Sequence, residues 1–187
     1  MGYDAYRVFE NLGAYNRRAN RELYESAGSL TDQVRKRDTG GWFGSIHDIL
    51  NHILVCDINW LKRFSPLAPE SPVLSDPRLS PPGLSWERHL HEEFDEMRDT
   101  RSGLDELIIA WFREFDPDRY DERFVYADSK GTERPAVAGE AFEFLFLHQT
   151  HHRGQVGQIL DYLGQPNNIA DNDAYLEHVG MSDITAR

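Results

Sequence analysis

Four long segments of this chain repeat apolar residues at three- and four-residue steps, and stretches rich in Pro, Gly and Asp separate them. That spacing places the apolar residues of each segment on one face of a helix, so each segment must bury a stripe against the others. The pattern predicts an all-α fold, a four-helix bundle. The first helix is expected from about Asp4 to Ala27, with Phe9, Leu12, Ala19 and Leu23 in its stripe and Gly28 as its stop. The second runs from about Ile46 to Phe64 behind Ser45 as N-cap, with Asp48 placed to complete a capping box. Its core face is Ile49, Leu50, Ile53, Leu61 and Phe64.

Six prolines fall within residues 65–85, too many for a helix interior, so this stretch reads as a long crossover. Such a crossover lets neighbouring helices run parallel. A third, highly charged helix is expected from about Trp86 to Phe115. Alternating residues around Ser129-Lys130-Gly131 predict a small β-hairpin before the last helix. That helix is expected from about Gly139 to Leu163, ended by Gly164-Gln165-Pro166. No internal repeat and no linker interrupts the pattern, so residues 1–187 read as a single domain. The 187 residues, 40% of them hydrophobic, suffice for one core.

Charge and cysteine content narrow the chemistry. A formal net charge of -12 repels phosphate backbones, so nucleic acid is not an expected partner. No run of about 18 apolar residues is present, and the opening MGYDAYRVFE lacks the basic-then-apolar order of a signal peptide. With Tyr6 where a myristoylation site wants Ser or Thr, the expectation is a cytoplasmic protein without a membrane partner. Cys56 is the one cysteine, which excludes an intramolecular disulfide and any multi-cysteine metal site built by one chain. Metal ligands would have to be mainly histidine or carboxylate.

Three of the eight histidines fall within His148-Gln149-Thr150-His151-His152 on the fourth helix. Residues four apart share a helix face, so His148 and His152 can direct both imidazoles at one ion, while His151 points away. The alternative is that the pair satisfies itself and the backbone. Phe142, Phe144, Leu145, Phe146 and Leu147 suggest a helix buried on several sides, where unsatisfied imidazoles are costly. Gln155 lies one turn beyond His152, placed to hydrogen-bond it. The motif lacks the Glu of zinc proteases. His52, mid-helix beside the core stripe, is the best third ligand, and Cys56 shares its face either as a soft donor near the ion or as small apolar filler. His47, His89, His91 and His178 read as solvated. Asp57 reads as a structural hydrogen bond or ion pair, and His151 and Arg153 as solvent-exposed residues able to meet an anionic substrate.

The segments SIHDILNHILVCDINWLKRF and FLFLHQTHHRGQVGQIL, together with AYNRRANRELY, resemble the signature segments of DinB-like proteins of the DinB/YfiT superfamily. The resemblance implies a four-helix bundle of up-down-down-up topology, a homodimer, and a metal site whose three histidines match His52, His148 and His152. The chain departs from the family at Cys56, where a small apolar residue is usual, and in its tail DNDAYLEHVGMSDI. Some relatives are thiol-dependent transferases or isomerases. The implied function is metal-dependent chemistry on a small molecule, with transfer of a low-molecular-weight thiol leading. The alternatives are metal-dependent hydrolysis and a non-catalytic metal-binding stress-response protein. Three histidines suit Zn, Ni or Fe alike.

Overall fold

The computed structural model describes residues 5–86, 88–167, 169 and 173–179. The chain is mostly helical. After a 3₁₀ turn at Ala5–Arg7, α1 spans Val8–Gly28, a single turn α2 spans Asp32–Arg35, and α3 spans Ile46–Arg63. Then come α4 at Phe94–Glu114, the strands β1 (Arg123–Ala127) and β2 (Glu133–Val137), α5 at Ala138–Tyr162 and the short α6 at Asp173–His178. The two strands pair antiparallel, Val125 opposite Pro135, directly before α5. Asp4, the expected start of the first helix, and half of the tail DNDAYLEHVGMSDI lie outside the described residues.

Each of α1 and α3 packs against both α4 and α5. The space they enclose holds Leu23, Leu50, Leu54, Ile58, Leu61, Met97 and Leu104, all buried. At one end the Phe142 ring meets Phe9, Phe64, Phe112 and Phe115 edge-on, an arrangement the aromatic quadrupole favours. The hairpin contributes Phe124 to the same aromatic cluster.

Local chemistry accounts for most boundaries. Ser45 accepts from the Asp48 N–H, and the Asp48 side chain accepts from the Ser45 N–H, so the expected capping box starts α3. Gly164 follows α5 at φ 68°, as a helix stop requires. In the hairpin turn Gly131 takes φ 77°, and Asp128 Oδ1 accepts from the N–H groups of Lys130 and Thr132.

Two expectations need correcting. Gly28 is the last residue of α1, not a left-handed stop, and Ser29 is the C-cap with φ -70°. A Cβ on Gly28 would stand 3.3 Å from Phe94 Cε1, so glycine serves close approach to that ring. The charged helix starts at Phe94, not Trp86. Ahead of it, the Asn51 side chain donates to the His91 carbonyl at 3.0 Å and accepts from the His91 N–H at 3.0 Å. A side chain from α3 thus satisfies backbone groups that a helix would otherwise use.

Candidate metal centre

His52 sits midway along α3, and His148 and His152 sit one turn apart on α5, which packs against it. The packing brings all three rings together. His148 Nε2 stands 3.2 Å from His52 Nε2 and 3.1 Å from His152 Nε2. Nitrogen ligands held about 2.0–2.1 Å from a tetrahedral zinc are roughly 3.4 Å apart, so the spacing is close to that of a bound ion.

The protons fit as well. Gln155 Oε1 lies 2.7 Å from His152 Nδ1 and can only accept there, which keeps the proton on Nδ1 and leaves the Nε2 lone pair free. His148 Nδ1 is buried without a hydrogen-bond partner, so ligation through Nε2 leaves its N–H unsatisfied. Neutral imidazoles crowded nitrogen to nitrogen cannot satisfy one another with one N–H each, and a cation among them resolves the excess of lone pairs. Burial, with His152 alongside, pushes His52 down to about 4. Burial, reinforced by His152, His52 and His151, pushes His148 down to about 3. Burial lowers His152 too, against its bond to Gln155. All three are therefore neutral near pH 7, the state a metal needs.

Cys56 comes closer than an apolar filler would need to. Its Sγ is 3.5 Å from His52 Nε2, and ligand atoms of His52, Cys56 and His148 all lie within 4.8 Å of one another. Burial, with the Asp57 charge adding, pushes its thiol up to about 12 against the pull of Arg63, so without an ion Cys56 is protonated. Phe43, from the loop before α3, lies against His52 and His152 with ring centroids 4.4 and 5.1 Å away. A cavity of about 280 Å³ opens on His52, walled by Trp42, Phe43, Val55 and Trp86, with Arg88 on its lining.

Other expectations divide. Asp57 is buried and ion-paired with Arg101, as expected. Arg153 is not exposed: it is buried and donates to Asn16 and Asn20. His151 is exposed, its ring 4.9 Å from that of His152. His47 is not solvated but 1% exposed, covered by the segment that carries His91. The α5 helix is not buried all round, since Phe144 and Leu147 face outward. Phe43 escaped the sequence reading because it lies outside any periodic segment. The Gly41 and Gly44 that flank its loop were the available signal.

Compared with known proteins, residues 1–181 match the family model described as DinB family. The chain is also 24% identical over 172 residues to the protein named Protein DinB of Bacillus subtilis (strain 168), covering 92% of this chain and 93% of that one.

Proposed function

The chain belongs to the DinB family, and from there we propose that His52, His148 and His152 hold one divalent metal ion and that the protein is a metal-dependent enzyme acting on a small molecule, with thiol transfer the leading reaction. The observation that carries this reading is the convergence of three imidazole nitrogens at 3.1 and 3.2 Å on two packed helices. A divalent ion held by three neutral imidazoles keeps open positions and, when bound, acidifies a thiol or water at neutral pH.

The chain's own residues supply the rest. Gln155 fixes the orientation and tautomer of His152, and Phe43 covers His52 and His152 on one side. Among the described residues, the cavity beside His52 has aromatic walls, with Arg88, His89, Asn51 and Asp48 as polar lining, which suits a small molecule with an apolar part and a polar group. The reading takes α1, α3, α4 and α5 as one four-helix bundle of up-down-down-up order forming a single domain. The packing of α1 and α3 on both α4 and α5 supports it. It also takes the functional unit as a homodimer, for which the outward Phe144 and Leu147 offer apolar surface.

Protein purified without an affinity tag carries metal at the three histidines in this reading, and His52→Ala, His148→Ala and His152→Ala each lose most of it by elemental analysis. Unchanged occupancy in all three variants sinks the assignment. Metal-loaded protein turns over a panel of thiols with electrophiles above the rate of apo protein. Equal rates reject the transferase reading, and metal-dependent turnover indifferent to thiol moves the assignment to hydrolysis.

A further inference from the structure

A second set of metal-ligating side chains lies outside the three-histidine centre and shares no residue with it. His47, on the first turn of α3, and His89 and Glu92, in the segment leading into α4, offer ligand atoms that all lie within 4.8 Å of one another. We propose that His47, His89 and Glu92 form a second site for a divalent ion of the zinc type, pinned between the start of α3 and the approach to α4.

The hydrogen bonds around the two histidines carry the inference. His47 Nε2 is 3.1 Å from the His91 carbonyl, which can only accept, so the proton of neutral His47 sits on Nε2. Its Nδ1 then presents a bare lone pair, and that atom is buried with no partner, on a residue 1% exposed. His89 repeats the arrangement. Its Nε2 lies 2.6 Å from Asp48 Oδ1, while its Nδ1 lies 3.4 Å from Glu92 Oε1. A neutral imidazole has one N–H, and the short contact with Asp48 takes it. With the ring neutral, the His89 Nδ1 lone pair and a Glu92 oxygen face each other, an arrangement that a cation between them relieves.

A histidine that donates one N–H to a carboxylate or carbonyl and ligates through its other nitrogen is the usual partner arrangement at zinc sites. Here Asp48 and the His91 carbonyl play that part. Asp48 is itself fixed, because its Oδ2 accepts from the Ser45 N–H at 2.9 Å and the Ser45 hydroxyl at 2.6 Å. Asn51 holds the His91 backbone, which keeps the segment carrying His89 and Glu92 docked on His47. Two imidazoles and one carboxylate make a donor set that binds zinc and leaves a fourth position open, whereas Ca and Mg favour oxygen alone. Both exposed members can close the remaining distance by side-chain rotation, since Glu92 and His89 are 74% and 35% exposed.

The test is a zinc titration of metal-stripped, untagged protein, read as bound zinc per chain after equilibrium dialysis. The expected result is two zinc ions in the unaltered chain and one in His89→Ala, with the second ion bound at least tenfold more weakly in Glu92→Gln. These positions are exposed, and retained helical circular dichroism confirms that the variants fold. His148→Ala is expected to keep one zinc, which disappears when His89→Ala is added. A His148→Ala protein that still binds two, one of them lost with His89→Ala, supports this site while rejecting the three-histidine reading. The same zinc content in His89→Ala, Glu92→Gln and the unaltered chain overturns the proposal.

Discussion

Gln155 reaches no ion in the proposed centre, yet it decides which nitrogen of His152 is available. Removing an outer partner of a ligating histidine typically weakens metal binding about 10- to 100-fold. Gln155→Ala is expected to weaken zinc binding by that factor with the helical content unchanged, and a chelator competition assay measures it. The depressed histidines set a pH dependence of definite sign. Protons compete for a ligand only below its pKa, and His52 and His148 titrate near about 4 and about 3. Proton competition at His52 and His148 should therefore be absent from pH 7 to about 5, and burial lowers His152 in the same direction, so zinc affinity should fall less over that range than with free histidines near about 6.5. Competition titrations across that range check it, and a decline as steep as that of free histidines would mean that the apo rings are hydrated. The same depression makes the contribution of these histidines to apo-protein stability full above about 6.5 and lost as pH falls through about 4 and about 3.

The four long helices meet across a polar layer as well as an apolar one. Arg101 on α4 pairs with Asp57 on α3 and Asp105 on α4, and Asn20 on α1 donates to Asp105 and to Gln149 on α5. These groups are buried, and the two carboxylates hold the Arg101 charge in place against its desolvation. Breaking a buried ion pair leaves the other charge uncompensated at a cost of roughly 3–5 kcal/mol. Arg101→Ala, which leaves the buried Asp57 and Asp105 without their shared partner, should destabilise the protein on that scale in urea unfolding, while Arg17→Ala, which cuts an exposed pair with Glu106, should cost at most about 1 kcal/mol. The layer also completes the α1 stripe, of which Phe9 and Leu23 are buried and Leu12 packs against the core. Its buried positions are Phe9, Gly13, Asn16, Asn20, Leu23, Tyr24 and Ala27, with Ala19 only half-buried. Apolar spacing cannot register two asparagines whose burial depends on partners from other helices.

For the molecule as a whole, no helix among the described residues is long and apolar enough to cross a membrane. Trp42, Tyr162 and Leu147 are exposed, at 94%, 86% and 68%. Large apolar groups left outside in this way suit an interface between copies. A dimer is expected in light scattering at micromolar concentration, and a lone 21.6 kDa species would contradict it.

Sequence alone determined what depends on spacing along one chain. The helical stretches, the Ser45–Asp48 capping box, the Gly164 stop, the hairpin turn and the shared face of His148 and His152 all follow from local periodicity and backbone preference. The mid-helix place of His52 beside the core stripe was legible from the same periodicity, and the structure leaves its ring half-buried there. Tertiary structure decided what depends on which surfaces meet. The start of α4 at Phe94 follows from Asn51 capturing the His91 backbone, and the burial of His47 follows from the same docked segment. Arg153 is buried because two asparagines of α1 receive it, and Phe43 reaches His52 and His152 only once its loop folds over them. Hydrogen bonds between residues tens of positions apart leave no period in the sequence, so only the packed helices reveal them.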